Sequence, residues 1–258
     1  MRIALLTLPS VMSDAAVTRF AAGQDVVLLG LSDPRRAAAG GAIGQLRRHL
    51  ARSGPRILPY LALGFGLPGR ALRAVRAPRL VLGDVNGSAA RAALRAARPD
   101  LIVTLHFDQI LAPETVALAR LGGINLHPSL LPLHRGPVPA FWTLAEGTAA
   151  GVSVHRLVPR IDAGEVLAQR EVALPPGISA LAAARLLHLA GVETLRDVAA
   201  RLGDGPARGV LPEPLPYCGF PDAAALRGAA RRGVKLVRAA DIMLIWQGNG
   251  GASKTPSG

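Results

Sequence analysis

Gly122-Gly123-Ile124-Asn125-Leu126-His127-Pro128-Ser129-Leu130-Leu131-Pro132 is the stretch on which the reading of the fold turns. Two glycines lead into a short strand, and a Pro-rich loop follows it. Asn125 and His127 are two positions apart at the strand end, so their side chains leave the same face and converge on one small volume. In open α/β sheets, ligands sit beyond the carboxyl ends of strands, where loops present polar groups.

Working outward, short β-branched or Leu-rich runs alternate with Ala/Arg/Leu segments of helical spacing, the signature of an α/β fold with a mostly parallel sheet and helices on both faces. The spacing predicts strands at Arg2 to Leu8, Val26 to Leu31, Leu80 to Gly83, Leu101 to His106, Gly123 to His127, Val152 to Val158 and Val166 to Leu174. It predicts helices at Asp14 to Ala22, Ile43 to Ser53, Ser88 to Arg98, Pro113 to Ala119, Pro139 to Glu146 and Ile178 to Leu202, with Ser88 and Ser179 as N-caps. The last two strands have no helix between them, so they form an antiparallel hairpin around Ile161-Asp162-Ala163-Gly164 and make the sheet mixed. After Gly203 the sequence changes character: Pro206, Pro212, Pro214 and Pro216 mark a linker-like stretch, Asp222 to Ala239 reads as a short basic helix, and Gly248 to Gly258 as a flexible tail. The expected division is a catalytic domain over 1–204 and an extension over 205–258.

Composition narrows the functional classes. The chain has 258 residues, enough to bury a full core. Ile57 to Leu67 is its most apolar stretch and is too short to cross a bilayer of about 30 Å. The opening Met1-Arg2-Ile3-Ala4-Leu5-Leu6 fits a first buried strand better than a leader. Cys218 is the single cysteine, which leaves no internal disulfide and no Cys-based metal motif and is consistent with a cytoplasmic location. A formal charge of +13 invites a nucleic-acid reading. Against it, the cations are nearly all Arg, scattered along Ala-rich stretches, and aromatic residues for base stacking make up only 3%. An anionic small molecule uses the charge more economically.

The chemistry available to Asn125 and His127 is an amide N–H for a developing oxyanion and a proton exchanger that works near neutral pH. A carboxylate would complete such a site by holding the imidazole and favouring its charged form. Asp162, on the expected hairpin turn with Gly164 giving the backbone room to bend, is the best-placed acid; Asp84, Asp108 and Glu114 are alternatives by pattern. Taken singly, each residue has a plainer reading. An Asn or His at a strand end is more often a turn former, and Asp-x-Gly turns are common.

The run from Pro99 to Leu174 resembles the core of the folate-dependent formyltransferases that act on methionyl-tRNA, glycinamide ribonucleotide and sugar amines. The resemblance rests on Pro99-Asp100-Leu101-Ile102-Val103, Gln109-Ile110-Leu111, the stretch from Gly123 to Pro132, Arg135-Gly136, Pro139, Gly151-Val152-Ser153-Val154-His155 and Asp162-Ala163-Gly164-Glu165-Val166-Leu167. It implies a Rossmann-like formyltransferase fold with Asn125, His127 and Asp162 as the catalytic set and 10-formyltetrahydrofolate as donor, with no metal. The pterin is expected against His106, Phe107, Asp108, Gln109, Ile110 and Leu111 on one side and Val158 and Ile161 on the other. His106 and Asp108 depart from the Tyr/Phe-Gly pattern of several members. The implied reaction is direct attack of an uncharged amine on the formyl carbon through a tetrahedral intermediate, with no covalent enzyme species.

Around this set, Ser129 either contacts substrate or caps its own loop, and Arg135 either binds an acceptor phosphate or carboxylate or is a solvated loop Arg. His134 and His155 read as surface or structural groups. The small-molecule amine members are the nearest match, because the tRNA enzymes carry a C-terminal barrel of about a hundred residues. An amino sugar or specialised-metabolite amine is the expected acceptor. Glycinamide ribonucleotide is the runner-up, weakened by the missing glycine-rich loop near Leu8 to Ser13. A formate-releasing hydrolase and an inactive nucleic-acid-binding or scaffold protein are the remaining alternatives. Ile57 to Leu67 leaves a lipid-linked acceptor open, against a buried helix, and a homodimer is also left open.

Overall fold

The computed structural model describes residues 1–36, 40–66 and 70–246. Its centre is one seven-stranded sheet in the order β3-β2-β1-β4-β5-β6-β7. The strands are β1 (Arg2–Thr7), β2 (Asp25–Ser32), β3 (Arg79–Leu82), β4 (Leu101–Leu105), β5 (Gly123–His127), β6 (Gly151–Arg156) and β7 (Val166–Glu171). The first five are parallel, and β6 and β7 run antiparallel to their neighbours as the expected hairpin. Because β1 leads to β2 and β3 on one side while β4 and β5 lie on the other, the sheet has a switch point between β1 and β4 at which a cleft opens.

The helices are α1 (Asp14–Ala21), α2 (Gly41–Ser53), α3 (Leu58–Phe65), α4 (Ser88–Ala97), α5 (Pro113–Val116), α6 (Pro139–Glu146), α7 (Ala180–Asp204), α8 (Ala223–Arg231) and α9 (Ile242–Trp246). They cover both faces of the sheet, as the alternating pattern requires. On one face, Ile3, Leu5, Val103, Ile124, Leu126 and Val154 pack with α1, α6 and α7 into the larger core; on the other, Ala4, Leu6, Leu28 and Ile102 pack under α4. Alternation along each strand puts Ile124 and Leu126 into the larger core and turns Asn125 and His127 away from it.

Some boundaries differ from the sequence reading. Ser179 does cap α7, its hydroxyl oxygen accepting the Ala182 N–H at 3.0 Å. Ser88 is instead the first helical residue of α4, after an extended Gly87 with no side-chain cap. The basic helix expected over Asp222 to Ala239 ends at Arg231, where Gly233 turns the chain with φ of 82°. The Pro-rich stretch is tied along the body: Val210 pairs with Val166 through two backbone bonds, and Cys218 N–H donates to the Arg135 carbonyl at 2.8 Å. Of the apolar run, Ile57 and Tyr60 are buried while Leu58 is exposed, which gives a half-covered helix α3. Leu67 and the tail expected over Gly248 to Gly258 lie outside the described residues. Among the described residues no helix is long and apolar enough to cross a membrane.

Candidate active site

Register builds the site. Thr104 on β4 stands beside Asn125 on β5, and Asn125 stands opposite His155 on β6, so three polar side chains form a row across the strand ends. The Thr104 hydroxyl donates to Asn125 Oδ1 at 2.7 Å, and Asn125 Nδ2 lies 3.0 Å from His155 Nε2. His155 Nδ1 is 2.9 Å from the Arg156 carbonyl, so Nδ1 carries the proton and Nε2 accepts from the Asn125 amide. One amide N–H of Asn125 is thereby used in fixing its plane. The second is available to the cavity that Asn125 lines.

Asp162 closes the row from the hairpin turn. It holds φ at 47°, a left-handed conformation that Asp tolerates better than most residues. The contribution of Gly164 is space, since a Cβ there would fall 2.0 Å from the Arg156 carbonyl oxygen. The carboxylate accepts the Gly136 N–H at 2.9 Å, with Oδ2 3.6 Å from His127 Nδ1 and Oδ1 3.5 Å from His155 Nε2. Burial acts to raise the Asp162 pKa. The neighbouring His127 and His155 and the Gly136 N–H outweigh it and hold the carboxyl down to about 2, so it is ionised.

His127 is buried, with Nε2 3.2 Å from the His134 carbonyl, which fixes a proton on that nitrogen. Its Nδ1 faces Asp162. Burial keeps the imidazole below its ordinary pKa against the pull of that carboxylate. The ring therefore rests neutral and is held where an added proton at Nδ1 meets a negative charge.

A sequence profile for the formyl transferase family matches residues 77–198, the stretch that supplies every residue of this row. Over residues 77–198 the chain is thus similar to the formyl transferase family. Solved structures share its fold: a sugar N-formyltransferase from Shewanella (18% identity, TM-score 0.58, covering 85% of this chain and 77% of that one), and a phosphoribosylglycinamide formyltransferase from Anaplasma phagocytophilum (20% identity, TM-score 0.56, 79% and 88%). A 4-N formyltransferase from Francisella tularensis is also similar (14% identity, TM-score 0.52, 85% and 76%). At these identities the likeness is one of fold.

The matched stretch holds Asn125, His127 and Asp162 at a cavity of about 960 Å³, whose walls include His106, Phe107, Asp108, Gln109, Ile110, Leu111, Val158 and Ile161. Ile110, Val158 and Ile161 are large apolar side chains left open on that wall. Asp108 and Gln109 are occupied within the fold. Arg36 pairs with Asp108 at 2.7 Å, and the Gln109 side chain bridges the Val85 N–H, the Ser32 hydroxyl and the Leu82 carbonyl.

Ser129 and Arg135 do not line this cavity. Ser129 is buried and its hydroxyl donates to the Leu133 carbonyl at 2.7 Å, so it caps its own loop. Arg135, neither solvated nor aimed at an acceptor, is buried with its guanidinium on the carbonyls of Ile161, Asp162 and Leu215. It holds the hairpin turn in place from beneath, a role set by packing. Of the two readings of His155, surface or structural, the structure leaves the structural one: it is buried and touches both Asn125 and Asp162. His134 is buried beside the loop, with Nε2 2.7 Å from the Thr148 hydroxyl. The sequence carried one signal for His155, the β5–β6 pairing that sets it opposite Asn125, and that signal needs the register.

Proposed function

We propose that the chain transfers a formyl group from 10-formyltetrahydrofolate to the primary amine of a small molecule, an amino sugar or a specialised-metabolite amine. The observation that carries this reading is the convergence of the Asn125 amide, the His127 imidazole and the ionised Asp162 on one cavity, within the stretch that matches the formyl transferase family. Formyl transfer to an amine is the chemistry that goes with that family.

The residues present fit a folate. The cavity is at the upper end of the range for a drug-sized ligand. The open apolar side chains of Ile110, Val158 and Ile161 form a wall suited to a flat heterocycle. When bound, the donor supplies the formyl carbon and the nitrogen that the carbon leaves.

The chain's own groups do the rest. Asn125, its plane fixed by Thr104 and His155, offers its free N–H to the formyl oxygen as that oxygen gains negative charge. Such a donor is typically worth about 3–4 kcal/mol in the transition state. His127 Nδ1 can hold a proton released by the attacking amine, because Asp162 Oδ2 stabilises the charged ring. A positioned proton exchanger adds about 10²- to 10⁴-fold. Asp162 also keeps the turn closed over the site through the Gly136 N–H.

Turnover of 10-formyltetrahydrofolate with an amine panel, followed by product mass, tests the reading. Asn125→Ala and His127→Ala are expected to lower kcat by about 10²-fold or more with the melting transition retained. Near-wild-type turnover in either variant overturns it.

A further inference from the structure

A second cavity, of about 500 Å³, opens beside the catalytic one, between α2 and the Pro-rich segment. Arg48, His49 and Arg52 of α2 stand on one side of it, and Pro137, Tyr217 and Phe220 on the other. His49, Pro137, Tyr217 and Phe220 line both cavities, so the two meet there. Of the residues around the second cavity only Pro137 falls inside the stretch 77–198 that the family profile matches. This cavity is therefore built from the chain's own α2 and C-terminal extension.

Its walls are fixed by the fold. Ser53, buried at the end of α2, donates its hydroxyl to the Pro221 carbonyl at 2.6 Å, and Arg52 Nε donates to the Phe220 carbonyl. The His49 ring meets Phe220 edge-on with centroids 4.5 Å apart. From the body of the protein, Trp142 Nε1 donates to the Gly219 carbonyl at 2.9 Å.

The charge around it is one-sided. No Asp or Glu is among the residues that line it. Arg36 is neutralised by Asp108 at 2.7 Å, and the Gln45 amide is engaged by the Pro34 carbonyl. Arg52 differs from these. Its Nε bond fixes the guanidinium plane, but among the described residues no carboxylate pairs with it and no acceptor takes its Nη groups. A fixed fork of N–H donors matches the geometry of a phosphate or carboxylate. Arg48 adds a positive charge on the same wall, which together with burial holds the His49 imidazole below its ordinary pKa. Gly219 lets Arg52 and Tyr217 stand side by side, since a Cβ there would lie 3.2 Å from Arg52 Nη2 and 3.6 Å from Tyr217 Cε1. The Tyr217 hydroxyl has no protein partner among the described residues. Burial and the Asp162 charge hold its pKa up, so it keeps its proton and can donate.

We propose that this cavity is an anion site, in which Arg52, with Arg48 and the Tyr217 hydroxyl, holds the phosphate or carboxylate end of a molecule whose other end lies at the catalytic row. It supplies the cation that Arg135, buried on backbone carbonyls, does not. The site itself goes beyond the formyl-transfer reading, and only the source of the anion rests on that reading. A phosphate belongs to the acceptor, and a chain of carboxylates belongs to the glutamate tail of the donor.

Calorimetry on the full chain at about 0.05 M NaCl, where exposed charges are weakly screened, uses inorganic pyrophosphate and tetrahydrofolate carrying one or three glutamates. Arg52→Gln is expected to raise the Kd of the anionic probe about tenfold or more, the effect of losing a charged hydrogen bond. Arg52→Lys keeps the charge and should lose less. Pyrophosphate binding that depends on Arg52, with no preference between the two folates, assigns the site to a phosphate. A preference for three glutamates that vanishes in Arg52→Gln assigns it to the donor's tail. If Arg52→Gln loses the wild-type melting transition, Tyr217→Phe carries the test, since it keeps the ring and removes only the hydroxyl; a Kd raised about threefold or more is expected, and an unchanged Kd overturns the site. Neither pyrophosphate binding nor a glutamate preference would overturn the inference, as would equal Kd in wild type and Arg52→Gln. Equal losses in Arg52→Gln and Arg52→Lys would do so too, because they would mark a staple and not a charge. Binding that depends on Arg52 without any turnover would leave the anion site standing and remove the formyl-transfer reading. Turnover without such binding would do the reverse.

Discussion

Asp162 shows how much a single residue of this site contributes to stability as well as chemistry. Its folded pKa, about 2, lies below the ordinary carboxylate value. The unfolded chain therefore binds the proton more readily as pH falls, and the stabilisation is full above about pH 4 and is lost as pH drops through about 2. The difference corresponds to about 2 kcal/mol. Asp162→Asn is expected to unfold at lower urea than wild type at pH 7, with the gap narrowing towards pH 2, and its turnover should fall because nothing then supports a proton on His127. Equal urea midpoints at pH 7 would remove the stabilising role. At this scale the sequence discloses some partners and hides others. Asn125 and His127 are legible because two residues on one strand share a face whatever the strand pairs with. Thr104 and His155 are not, because their places beside Asn125 depend on cross-strand register. The Ser10, Ser13 and His106 cluster is hidden for the same reason, its members being brought together by neighbouring strands β1 and β4.

Among elements, the loop after β5, the hairpin turn and the Pro-rich segment meet at Gly136. Its φ is 128°, and a Cβ there would lie 2.2 Å from the Cys218 carbonyl oxygen. The Gly136 N–H holds Asp162, while the Arg135 carbonyl accepts the Cys218 N–H. Gly136→Ala must therefore adopt a strained backbone and push the Pro-rich segment off the loop, at a cost of about 2 kcal/mol or more. In a chain of this size that is a fall of about 4 °C or more in Tm, and turnover should fall with it because Asp162 shifts. Gly147→Ala is the control, with φ of 67° and nothing within 4 Å of a Cβ. If the two variants melt together, the steric argument fails. The elements themselves were largely readable: seven strand segments appear where Leu-rich and β-branched runs fall, and the hairpin follows from two strands with no helix between them. Ser88 misled because the helix starts one residue earlier than its hydroxyl suggests, after Gly87. The Pro-rich stretch misled because proline marks an extended backbone without saying whether that backbone is free or strapped to a neighbour.

For the whole molecule the main unbalanced quantity is charge, 30 Lys and Arg against 17 Asp and Glu. Many guanidinium groups act as staples on backbone carbonyls: Arg79 on Leu72, Arg156 on Leu121, Arg201 on Leu167 and Arg232 on Ala145. Such bonds are short-ranged and partly buried, so salt weakens them little. Exposed pairs such as Arg19 with Glu193 and Arg120 with Asp100 add little stability at any salt. What salt does act on is the mutual repulsion of the surplus cations, which extends over about 30 Å at 0.01 M and only about 8 Å at 0.15 M. Screening that repulsion favours the compact state. Tm is therefore expected to rise by a few degrees, about 1 kcal/mol or more of stabilisation, as NaCl is raised from 10 to about 200 mM. Differential scanning calorimetry at fixed pH decides it. A Tm that falls over this range would mean that surface ion pairs outweigh the repulsion, and that the arginines hold the fold through carboxylates and not through carbonyls.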